Sequence, residues 1–175
     1  MIVDVDINGG VNMVSKSNFA PLEWKIVMQS PLLAGFAVSA ADPSSFIGTI
    51  QEGLAAAKML TKAETGVGGD LIKLIANELL TPNGRADARE GIRTIAQGAN
   101  NEELKNRALE ELKEAVNIVA QKTPLEAESF KNWLYETANT VAEAGVEGGF
   151  LGFGGVKVSD AERVTLNEIS QILSS

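Results

Sequence analysis

The groups in this sequence able to do chemistry are carboxylates, lysines, arginines, hydroxyls and one tyrosine, Tyr135; there is no histidine and no cysteine. The two absences remove the commonest general base, the thiolate nucleophile, the Ser-His-Asp triad and the usual zinc ligands. Among the carboxylates, Asp4-x-Asp6-x-Asn8-Gly9 matches the opening of a calcium loop. There, alternating oxygens wrap the ion and glycine permits the sharp turn. Ser15 stands where the closing bidentate Glu belongs, so Asp4, Asp6 and Asn8 are expected to hold a divalent cation weakly. Glu52 and Glu136 each follow a phenylalanine by six residues, which puts them about 240° from it on a helix and therefore toward water. The Glu-x-x-His of a carboxylate-bridged di-iron bundle is absent.

Other spacings carry binding chemistry. Arg85, Arg89 and Arg93 recur every fourth residue and line one face of a helix, a stripe suited to an anion or an acidic partner. The stretch Gly66-Val67-Gly68-Gly69 precedes a helix and could present backbone N–H groups to phosphate. Asp70 beside it repels an anion, however, and no P-loop lysine follows, so a plain turn is expected. Ser15-Lys16-Ser17 and Thr61-Lys62 are hydroxyl–lysine neighbours outside any catalytic motif. Gly145 to Gly155 holds six glycines around Phe150, Leu151 and Phe153. So much glycine is incompatible with helix, and three large apolar side chains must be covered by something. They either insert into the core or form a partner-binding loop, and this loop is the preferred binding surface.

The elements that must position these groups are helices. Ser30-Pro31, Asp42-Pro43 and Thr123-Pro124 read as helix starts, because the side chain caps an N–H and proline suits the first helical position. Thr123 with Glu126, Ser159 with Glu162 and Asn100 with Glu103 have capping-box spacing. Asp70 is expected to cap another helix. Periodicity predicts helices over 21–29, 31–41, 43–63, 70–80, 86–97, 101–121, 124–144 and 160–173. Helix 31–41 is apolar nearly all round and is expected to be buried at the centre. The expected fold is an all-α, single compact bundle of seven or eight helices over 21–175. Residues 1–20 form an acidic leader, either unstructured or a short strand over Ile2–Ile7. Helices 101–121 and 124–144 are candidates for a homodimer interface.

Composition bounds the partners. A formal charge of −8 disfavours phosphate backbones and anionic lipid, so neither nucleic acid nor a membrane is expected. No window approaches the roughly 20 apolar residues of a membrane span. The N-terminus lacks the basic-then-apolar order of a secretory signal, and the absence of cysteine suits a reducing cytoplasm.

Glu147-Gly148-Gly149-Phe150-Leu151-Gly152-Phe153-Gly154-Gly155, then Val158-Ser159-x-x-Glu162-x-x-x-Leu166-x-x-Ile169, resembles a group of small all-helical bacterial proteins, as do Trp24 and Pro31. That resemblance implies a fold and no activity. A more distant one is to tellurite-resistance B-like domains. Ala37 to Ala41 leads into Asp42, with Pro43 where those domains have glycine, and Ser159-Asp160-Ala161-Glu162 matches the latter half of their motif. It implies an all-helical fold, a link to stress response and metal binding through acidic residues. The expectation is a cytoplasmic interaction or stress-associated protein with a protein partner and no cofactor. A divalent-metal or small-ligand-binding role is the alternative, and enzymatic activity is the less favoured reading.

Overall fold

Pro31 sits in the middle of a helix. The computed structural model describes residues 14–41, 69–147 and 158–174, with the side chains of 145–147 excepted. Its first α-helix, α1, runs unbroken over Pro21–Ala41, so the expected boundary between 29 and 31 does not exist. Proline has no N–H to give the carbonyl four residues back, which is that of Val27. The Ser30 hydroxyl donates to that same carbonyl at 2.7 Å and replaces the lost bond. Ser30 and Pro31 are both buried, so the repair is made where water cannot make it. The central helix therefore begins at Pro21, not at residue 31.

Five further α-helices follow among the described residues: α2 (Asp70–Leu80), α3 (Pro82–Ala96), α4 (Asn101–Lys122), α5 (Ala127–Glu147) and α6 (Asp160–Leu173). Short 3-10 turns cover Lys16–Asn18 and Pro124–Glu126. The fold is all-α, and no strand occurs among the described residues. The expected helix 43–63 lies outside them. α1 lies against all five other helices and most extensively along α4 and α5. Leu33, Ala34, Ala37 and Val38 are fully enclosed, in the same core cluster as Leu112 of α4 and Leu134 and Ala138 of α5. At Gly35 the backbone of α1 comes so close to α5 that an added Cβ would press on Val141 Cγ2 at 2.9 Å.

The packed core begins ahead of α1. Phe19 is buried, its ring 5.7 Å from that of Trp24, and Lys16 lies over the same indole while pairing with Glu78 of α2 at 3.1 Å. Residues 1–13 of the expected leader lie outside the described residues.

Local chemistry explains the helix ends. Asn100/Glu103 and Ser159/Glu162 form reciprocal capping boxes that open α4 and α6. α3 starts at Pro82, ahead of the expected residue 86, because Thr81-Pro82 is a further cap-and-proline start. The α3 chain ends in a left-handed turn at Gly98 (φ 69°), and Arg107 of α4 donates to the carbonyls of Ile95 and Gln97 there. Two expectations are corrected. Asp70 does not cap α2, since Gly69 is the cap residue, and the carboxylate that accepts the Leu71 N–H at 3.3 Å belongs to Glu126. For that reason Glu126 does not close a capping box with Thr123, whose hydroxyl donates instead to Val119 O. A 3-10 turn intervenes, and α5 starts at Ala127.

Candidate functional site

An apolar depression lies at the pole where α1 ends and α4 and α6 begin. Its volume is about 490 Å³. Ala40 and Ala41 come from α1, Asn101, Glu102 and Lys105 from α4, and Asp160, Ala161, Val164 and Thr165 from α6. The two capping boxes set these helix starts side by side. Across the cleft wall, Lys105 Nζ reaches Glu168 Oε2 at 3.0 Å and ties α4 to α6. The Thr165 hydroxyl is turned inward and donates to Ala161 O at 3.0 Å. What remains for a visitor is a methyl-rich floor with a rim of Glu102, Asn101 and Asp160. Val164 is 54% exposed on this floor although every neighbour on the buried stripe of α6 is covered.

The lining is mainly apolar, with the carboxylates of Glu102 and Asp160 at its edge. Its lysine is paired and its threonine is bonded to backbone. A second, more polar depression of about 340 Å³ lies between α5 and α6, lined by Lys131, Asn132, Tyr135, Ser170 and Leu173 among others. Among the described residues no group of three or more acidic side chains is placed to hold a metal ion, and no helix is long and apolar enough to cross a membrane.

The sequence candidates are dispersed. Arg85, Arg89 and Arg93 are exposed along α3, but the stripe is partly spent. Arg85 donates to the Leu80 carbonyl at the end of α2 at 2.6 Å, and Arg93 pairs with Glu90 at 2.8 Å. That pairing lowers the Glu90 carboxyl below the usual range and raises the Arg93 guanidinium. Arg93 alone of the three forms an ion pair among the described residues, and Arg89 makes no side-chain hydrogen bond there either. Lys16 of the Ser-Lys-Ser run is engaged with Glu78 and Trp24, while Ser15 and Ser17 bond each other. Glu136 is exposed, as its wheel position requires. The outward faces of α4 and α5, offered above as a dimer interface, are polar and charged, with Glu102, Glu110, Lys113, Glu128 and Asn132 exposed. Phe150, Leu151 and Phe153, the metal candidates Asp4, Asp6 and Asn8, and Glu52 lie outside the described residues.

The cleft residues were missed because alanines at helix ends carry no pattern. The one readable signal was Val164, an apolar residue off the buried stripe of its own helix. No protein-family model, curated protein or solved structure matches this chain.

Proposed function

We propose that this chain acts by binding a protein partner, not by catalysis, through the pole where α1 meets the starts of α4 and α6. The observation that carries the proposal is the methyl-lined cleft there, with Val164 exposed on its floor. An apolar concavity, unlike a single exposed apolar side chain, is a favoured place for a partner or ligand to bind. The Phe150, Leu151 and Phe153 segment precedes α6 in the chain, and its apolar side chains are part of the same proposed partner-binding role. The setting we propose is the cytoplasm, with neither nucleic acid nor a membrane as the partner, in keeping with the charge of −8 and the absence of cysteine. A second copy of the chain counts among the partners. Association with stress response rests on the tellurite-resistance B-like resemblance alone.

The second reading is a small-ligand or divalent-metal protein. In its favour, the cleft volume lies within the range of small-molecule pockets. Native mass spectrometry of the protein from its own host, then crosslinking with Val164→Asp and Phe150→Ala/Phe153→Ala, tests both. Val164→Asp is expected to abolish partner capture while moving stability by less than about 0.5 kcal/mol, since the residue is exposed. Capture that survives both variants overturns the proposal. A retained ion or small molecule that also raises the melting temperature puts the second reading in its place.

A further inference from the structure

We propose that Asn83-Gly84 is a site of spontaneous deamidation, gated by the hydroxyl of Thr81. Asn83 is exposed in the first turn of α3 and its side chain makes no hydrogen bond to another described residue, whereas Gly84 beside it is buried. The position admits only glycine, because a Cβ on Gly84 would run into the backbone carbonyl of Glu78 at the end of α2. The α2–α3 junction thus forces the residue that hinders ring closure least to follow an exposed asparagine.

The reaction is the attack of the Gly84 nitrogen, its proton lost to a solvent base, on Cγ of Asn83. The Cγ–Nδ2 bond breaks and ammonia leaves with a proton from solvent. The five-membered imide then takes up one water and opens at either carbonyl, giving aspartate or isoaspartate. Attack needs the Gly84 nitrogen unbonded and Asn83 out of helical conformation. Thr81 opposes both. Its oxygen accepts the Gly84 N–H at 2.9 Å and its proton goes to Glu78 O at 2.7 Å, so one hydroxyl clamps the end of α2 to the start of α3. The rate in the folded chain is therefore the intrinsic rate multiplied by the fraction of time this cap is open.

The test is incubation of the full chain at mildly alkaline pH, with mass analysis of tryptic peptide 74–85, where conversion adds about 1 Da. Thr81→Ala removes the clamp and leaves Pro82-Asn83-Gly84 intact; it is expected to speed conversion by about fivefold, the worth of a typical N-cap. Thr81→Ser keeps a hydroxyl and is expected to react like the parent, and Asn83→Gln is the blank. In urea, parent and Thr81→Ala are expected to react equally and faster than either folded protein. Circular dichroism separates a folded Thr81→Ala from an unfolded one, and if that variant unfolds, Thr81→Asp, an alternative cap, must restore slow conversion. The proposal is overturned if the folded parent reacts as fast as the denatured chain, if folded Thr81→Ala reacts no faster than the parent, or if Asn83 stays unconverted in urea.

Discussion

Glu126 works 55 residues away from where its local spacing points. Three residues after Thr123 it has the position of a capping-box partner, yet its carboxylate meets the N-terminus of α2 and accepts the Leu71 N–H. Gly69 leaves the space for it, because a Cβ there would strike the carboxylate. A negative charge at a helix N-terminus and a capped N–H together are worth about 1 kcal/mol. Glu126→Ala is expected to lose about that much in a urea titration with an unchanged slope, and Glu126→Gln, which keeps an acceptor without the charge, to lose less. Glu111 offers the opposite case. Burial lifts its carboxyl above the usual range, and Glu114 adds to the lift; the Gln29 amide, donating at 3.3 Å, opposes both. With the folded value raised, folding favours the protonated form. The stability it contributes is fully present below the unfolded value and is lost as pH rises through the folded one. Glu111→Gln is therefore expected to be more stable than the parent at pH 7, with the advantage shrinking as pH falls toward the ordinary carboxylate value. A constant difference between the two across that window would show that Glu111 does not titrate differently on folding. Glu23 works the other way. The Ala20 N–H is the main cause holding it below its usual range, desolvation opposes, and Lys122 assists, so its contribution is lost on acidification.

At the scale of elements, the Ser30-Pro31 step is the place where a local signal and the fold disagree. Ser30→Ala leaves the Val27 carbonyl buried without its donor, at an expected cost of about 1–3 kcal/mol. Restoring the backbone N–H with Pro31→Ala should remove most of that cost, so a double-mutant cycle must show coupling between the two positions. Additive effects would mean that the hydroxyl is not the substitute donor. The same step shows what was legible in the sequence. α4 and α6 were readable because their signals are complete within one turn: Asn100 with Glu103, Ser159 with Glu162, then an unbroken apolar period. Ser30-Pro31 carries the same start signal, but the apolar side chains on both sides of it are buried in one core and the helix runs on through it. Thr81-Pro82 shows the signal obeyed. Glu126 was unreadable because its partner is set by tertiary packing. The cleft was unreadable too, because Ala41, Lys105 and Val164 come from three helices that meet only in the fold.

Across the whole molecule, stability is expected to be concentrated in α1 and sparse on the surface. Leu33 is fully enclosed, so Leu33→Ala should cost about 2–5 kcal/mol. Leu125, 97% exposed on its 3-10 turn, should change stability by less than about 0.5 kcal/mol when replaced by alanine. Both are read from urea midpoints, and comparable losses would mean that α1 is not the centre of the packing.

The central position of α1 also bears on synthesis. α1 is the first of the described helices to be made, while the helices that cover most of it, α4 and α5, end at Lys122 and Glu147. At about 5–20 residues per second, roughly 100 residues of translation separate the two events, a delay of about 5–20 s. For that interval the ribosome carries α1 with its two principal partners incomplete and only the smaller contacts of α2 and α3 available to cover it. Nascent chains halted before α4 should therefore be retained by holdase chaperones or found in the insoluble fraction, and chains that have passed α5 should be released.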